Sequence, residues 1–178
     1  MDGPLSPWAA PRHAKPAGYV EHQLRISRWS RRRQRIWLNP AHGPALLALA
    51  GSADAEPAWA TSWEDRANAQ VGPAIGLPPL PVVRFAGQLE ARPTTWKFGP
   101  VARFAAGRPL AWFDDDFDLF PAARQTFLDR RGDLPTELIA VDPHTGLAAE
   151  HFDALESWLR RRKTDRPPAG PGVGSPEP

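Results

Sequence analysis

Leu110-Ala-Trp-Phe-Asp-Asp-Asp-Phe117 decides how the rest of the chain is read. Pro109 to Phe113 is a short apolar run with the length of a buried strand, and it leads straight into three carboxylates, with Asp118 close behind. Carboxylates crowded at the end of a buried strand repel one another unless a cation or a hydrogen-bond network holds them. In open α/β sheets, ligands sit beyond the carboxyl ends of the strands. One reading is therefore a hard-cation site, most simply Mg2+ with oxygen ligands. The other is a solvated acidic turn that opens the next helix, where Asp also suits the helix N-terminus. A calcium loop fits poorly. With Asp114 as the first position, the sixth is Leu119 rather than Gly and the twelfth is Gln125 rather than Glu.

The chain around this stretch has 178 residues, the size of one domain with a real core. It is 42% hydrophobic, with eight Trp and eight Phe, which supports a folded protein. Its 14 Gly and 22 Pro predict several loops. It has no Cys, which excludes disulfides, thiolate catalysis and Cys-based zinc sites and suits a cytoplasmic setting. No apolar run approaches the roughly 20 residues of a membrane span, and the first residues show no charged stretch leading into an apolar one. A net charge of +2 argues for no particular partner. Only three of the 22 basic residues are Lys: Lys15, Lys97 and Lys163. Lys97 lies in Thr94-Thr-Trp-Lys-Phe-Gly-Pro100, inside the folded part, so it is either needed as a compact point charge or an ordinary surface lysine.

In chain order, Asp2-Gly-Pro4 is turn chemistry. Tyr19 to Ile26 alternates as a strand, with Val20, His22, Leu24 and Ile26 on one side, and Arg35 to Leu38 forms a second strand. Together they predict a hairpin over 19–38 with a basic tip at Arg31, Arg32 and Arg33. That tip, with Arg35, either grips a phosphate backbone or is a solvated arginine-rich loop. Asn39 reads as a helix cap with Pro40 at the first helical position and the helix running to Gly51. Glu56 to Trp63 reads as a strand ending in the hydroxyls of Thr61 and Ser62. Glu64 to Gln70 reads as a short helix and Gly72 to Leu80 as a loop. Pro81 to Phe85 reads as a strand, residues 86–95 as a loop, and Trp96 to Ala106 as a helix. Beyond the opening stretch come a helix over Phe120–Arg131, a strand over Thr136–Val141 and a helix over Leu147–Arg162. The tail from Lys163 reads as disordered.

Strands alternating with helices imply an α/β fold, a Rossmann-like parallel sheet with flanking helices and right-handed crossovers. The loop at Asp2, the hydroxyls of Thr61 and Ser62, and the Asp114 cluster then share the C-terminal edge of the sheet, and Lys97 enters from a helix start. Carboxylates, a hydroxyl and a lysine on one edge suit phosphoryl chemistry, in which cation and lysine neutralise the phosphate oxygens.

Residues 1–160 resemble the haloacid dehalogenase-like (HAD) hydrolase superfamily. The segments Leu38-Asn-Pro-Ala-His-Gly43, Trp59-Ala-Thr-Ser-Trp63 with Ala67-Asn68, Gly76-Leu-Pro78, Trp96-Lys97 and Ala111-Trp-Phe-Asp-Asp115 are similar to the HAD domain of bacterial "Swiss Army Knife" RNA-repair proteins and its stand-alone relatives. The resemblance implies a Mg2+-dependent phosphatase acting through an aspartyl-phosphate intermediate. It makes Asp2 the general acid/base with a backbone contact to the metal, and Thr61, with Ser62 as runner-up, the phosphate-binding hydroxyl. It makes Lys97 the phosphate-binding lysine, and Asp114 and Asp115 the acidic metal-binding pair, with Asp114 the direct ligand. It makes the 19–38 hairpin a small cap. The attacking Asp falls one residue before Met1, and the first, central strand is likewise missing from the chain as written. The expectation is a reading frame that starts too late, at a valine codon written as Met, so that the printed chain is unstable and inactive. The rivals are a non-catalytic relative that holds RNA or a protein, and a partner chain that supplies the strand. Nucleic-acid or nucleotide phosphate ends are the expected substrates, and salt-sensitive RNA binding without phosphate release would favour the non-catalytic reading.

Overall fold

The computed structural model describes residues 3–25, 33–85 and 96–164. Asp2, Ile26, Arg31 and Arg32, the 86–95 loop and the tail from residue 165 lie outside the described residues. The fold is mixed α/β. An antiparallel hairpin pairs β1 (Val20–Arg25) with β2 (Arg33–Leu38), in the register Val20 opposite Leu38 through Arg25 opposite Arg33. The alternation that predicts β1 is visible in its burial, since His22 and Leu24 are half-buried and their neighbours exposed. Val20 breaks it by staying exposed. β2 ends apolar, with Ile36, Trp37 and Leu38 all buried.

Helix α1 (His42–Ser52) follows. It starts later than Pro40, because Asn39 Oδ1 accepts the Ala41 N–H and Asn39 O accepts the His42 N–H, closing a turn ahead of the helix. Gly43 then lies against the carbonyl of Ile75, where any Cβ would overlap that oxygen, so only glycine fits. The expected strands over 56–63 and 81–85 shrink to a single parallel bridge, Trp59 with Val82. It has two bonds, Trp59 N–H to Pro81 O at 2.8 Å and Val83 N–H to Trp59 O at 2.8 Å. Pro57 and Pro81 bring no N–H to such a ladder and stop it from growing. Asn68 clamps this region instead. Its Oδ1 accepts from Trp59 Nε1 and from the Leu80 N–H, and its Nδ2 donates to Leu80 O. The helix expected from Glu64 begins at Asp65, passes through a π-turn over Ala67–Val71 and runs into α2 (Gly72–Ala74). Glu64 itself has φ +45°, outside helical space.

Helix α3 (Phe98–Ala105) leads to β3 (Leu110–Asp114), helix α4 (Pro121–Arg131) and β4 (Thr136–Ala140). β3 and β4 pair in parallel, with Leu110 opposite Thr136 and Asp114 opposite Ala140. The bonds Leu110 N–H to Pro135 O and Val141 N–H to Asp114 O extend the ladder at its two ends. Among the described residues, no backbone hydrogen bond joins β3 to the Trp59 segment. Helix α5 (Ala149–Thr164) closes the fold and carries Lys163 and Thr164, which the sequence reading had placed in the tail. The Thr164 hydroxyl donates to Arg160 O and Arg160 pairs with Glu156, so the last turn is held.

One apolar cluster joins β2, Trp59, Trp63, Val71, Ile75, Leu77 and Leu147. A second, aromatic one joins Phe85, Trp112, Phe117 and Phe127, with Phe98 stacked edge-on to Trp112. Burying such side chains contributes roughly 1.5–3 kcal/mol each and fixes where β3 ends. No helix among the described residues is long and apolar enough to cross a membrane.

Candidate functional site

β3 packs between the apolar clusters with Trp112 buried and Leu110, Ala111 and Phe113 half-buried, and its last residue, Asp114, is buried at 2% exposure. A carboxylate there needs a counter-charge, and Lys97 supplies it. Lys97 Nζ donates to both Asp114 oxygens at 2.8 Å and to Asp116 Oδ2 at 3.3 Å. Asp114 Oδ1 also accepts the Asp116 N–H at 3.1 Å, which folds the acidic run back on itself. Lys97 takes the N-cap position of α3, so a helix start carries it to the strand end. Burial pulls the Lys97 ammonium down, but Asp114, helped by Asp116 and Asp115, outweighs it and holds the pKa above the usual lysine value. Burial, with Asp114 and Asp115 adding to it against Lys97, pushes the Asp116 carboxyl above its usual range.

Asp115 faces the N-terminal segment. Gly3, at φ +84°, sits so close that a Cβ there would overlap the Asp115 carboxyl group. Asp115 Oδ2 accepts the indole N–H of Trp8 at 2.9 Å. The segment is itself tied down by Gly3 N–H to Ser6 O, Leu147 N–H to Pro4 O and Ala9 N–H to Pro143 O. Asp114, Asp115 and Asp116 each offer an oxygen within 4.8 Å of the others. Three carboxylates at that spacing could offer oxygen donors to a hard cation, with Asp114 already bonded to Lys97.

Thr61 is as buried as Asp114, and its hydroxyl oxygen accepts the Trp63 N–H at 3.2 Å, leaving its own proton to donate. Ser62 is half-buried. Among the described residues no hydrogen bond links Thr61 or Ser62 to the acidic cluster. The structure thus brings Lys97, Asp114 and Asp115 together, holds Thr61 at the end of its own short segment, and leaves Asp2 outside the described residues, next in sequence to Gly3. Two participants escape sequence reasoning. Asp116, spare in the sequence, takes part of the Lys97 charge. Trp8 sits in a proline-rich loop with no periodicity to flag it.

The basic hairpin is less free than its sequence suggests. Arg35 donates to Arg12 O, lies 3.8 Å from Glu21 and covers the Trp37 ring. Comparison of the chain with protein-family models, with curated proteins and with solved structures returns no match to any of them.

Proposed function

We propose that this protein is a Mg2+-dependent phosphoric monoester hydrolase of the HAD type, acting at nucleotide or nucleic-acid phosphate ends. The observation that carries the reading is the end of β3, where a buried carboxylate, two further carboxylates and the one lysine of the folded interior meet. In this reading, β3, β4 and the Trp59 segment belong to a Rossmann-like parallel sheet. Asp114 and Asp115 would hold Mg2+, which would supply positive charge against the phosphate oxygens. Lys97, kept protonated by its carboxylate neighbours, turns from Asp114 to a phosphate oxygen, and the Thr61 hydroxyl donates to another. Asp2 protonates the leaving oxygen and then activates water. Activity is tested on the polypeptide as its source cells make it.

The test is phosphate release from a panel of phosphomonoesters, with and without Mg2+, by that polypeptide and by its Asp114→Asn variant. The expected result is Mg2+-dependent release that falls by roughly a hundredfold or more in the variant, with the circular dichroism spectrum retained. Equal release by both would remove Asp114 from the chemistry and the proposal with it.

A further inference from the structure

Among the described tryptophans, Trp37, Trp59, Trp63, Trp112 and Trp158 are buried and Trp96 is half-buried, whereas Trp8 is 63% exposed. Leaving an indole in water forfeits the gain from burying its large apolar surface. A mobile surface side chain would be unremarkable, but Trp8 is anchored. Its Nε1–H is bonded to Asp115 Oδ2, and the residues around it are pinned by Ala9 N–H to Pro143 O and Ala10 N–H to Pro7 O. Among the described residues, neither an aromatic ring nor a cationic side chain stacks on its faces. The edge of the ring is therefore spent on the acidic cluster while its faces remain open beside it.

We propose that Trp8 is the specificity-determining platform of this site, stacking the nucleobase of a substrate whose phosphate is held at Lys97 and Asp114–Asp116. This rests on the phosphate reading given above and names what recognises the rest of the substrate. A base stacked on an aromatic side chain gains roughly fivefold to a hundredfold in affinity. Every base has a π-face, so the platform favours nucleotides over other phosphomonoesters without selecting a sequence. Fixing the indole in advance lowers the ordering cost that a free side chain would carry on binding.

The test measures equilibrium binding, in Mg2+, of adenosine 5′-monophosphate, ribose 5-phosphate and a 5′-phosphorylated oligonucleotide. The proteins are the whole chain, its Trp8→Ala variant and its Trp8→Phe variant. The wild type is expected to bind the adenosine phosphate at least tenfold more tightly than ribose 5-phosphate. Trp8→Ala is expected to bring that ratio within about twofold of one, and Trp8→Phe, which keeps a ring but loses the bond to Asp115, to retain most of it. Whichever of the mononucleotide and the oligonucleotide loses more affinity in Trp8→Ala identifies the source of the base. A wild type that binds the base-bearing and base-free phosphates equally overturns the platform and leaves the phosphate site standing. Trp8→Ala weakening both ligands by the same factor overturns it too, reducing Trp8 to a support for Asp115. No binding of any of the three phosphates removes the phosphate reading and the platform together.

Discussion

Two of the enclosed polar pairs among the described residues are handled in opposite ways. Lys97 and Asp114 are ionised and matched atom for atom: both carboxylate oxygens accept from the ammonium, and its further bond goes to Asp116. Tyr19 and His42 are just as enclosed and meet edge to face at 5.5 Å, yet Tyr19 Oη and His42 Nδ1 have no hydrogen-bond partner. Burial pushes the tyrosine up to about 12 and the histidine down to about 4, so both stay neutral near pH 7. Charge in the interior is tolerated where a strand end and a helix start deliver opposite signs to one point. Where only apolar and neutral neighbours are delivered, as in the cleft of about 380 Å3 lined by Tyr19, His42 and Phe152, titratable groups serve as ring surface. The first pair is built as chemistry and the second as packing.

The sharpest way to break the comparison is to remove one charge of the first pair. Lys97→Met leaves the enclosed Asp114 carboxyl group without its counter-charge, and a broken buried pair costs about 3–5 kcal/mol. Urea unfolding should show that loss. Removing both charges in Lys97→Met/Asp114→Asn should return a large part of it, because a neutral amide needs only hydrogen bonds. A double variant no more stable than Lys97→Met would mean that the pair is held by the surrounding packing rather than by its own attraction.

How much of this was legible in advance differs between the two regions. The acidic run shows in the sequence because it is local: an apolar strand-length stretch followed at once by carboxylates. Lys97 stands out by composition, but its partner does not, since it lies 17 residues away across a helix. The hairpin shows through the alternation of β1, but its register, Val20 opposite Leu38, does not, since β2 ends in three buried residues in a row. The strands at 56–63 and 81–85 were over-read, because apolar content says nothing of the N–H groups that proline withholds. The phrases around Gly43, Asn68 and Gly76 turn out to hold the fold together. Gly43 seats on Ile75, Gly76 packs beside Pro44, and Asn68 ties Trp59 to Leu80. Nothing local marks Tyr19 and His42, because their meeting is set by a hairpin base and a helix start that only the folded chain brings together.

The second pair is probed through pH. His42 is depressed, so between about pH 6.5 and 4 the unfolded chain takes up a proton that the folded chain refuses. Stability is whole at neutral pH and falls as pH drops through that window, by about 2 kcal/mol at pH 5 and about 3 kcal/mol at the limit. Among the described residues, no charged side chain lines the cleft beside the ring to offset this. Urea midpoints at pH 7.5, 6 and 5 should therefore drift downward in the wild type and drift less in His42→Gln, which carries no proton-binding site. Identical drifts would show that His42 titrates normally and that the ring is open to water.

The smallest effect carries the opposite sign. Tyr19 Oη is buried and unpartnered, pressed against Gly146 so closely that a Cβ there would overlap it. A hydroxyl taken from water without a new bond is a net loss, and deleting it restores about 1 kcal/mol or less while the ring keeps its contact with His42. Tyr19→Phe should thus raise the urea midpoint slightly, in contrast to the losses expected when Lys97 gives up its charge. A measurable drop in Tyr19→Phe would reveal a bond to that hydroxyl in solution and would move the Tyr19–His42 pair from packing to the same class as Lys97 and Asp114.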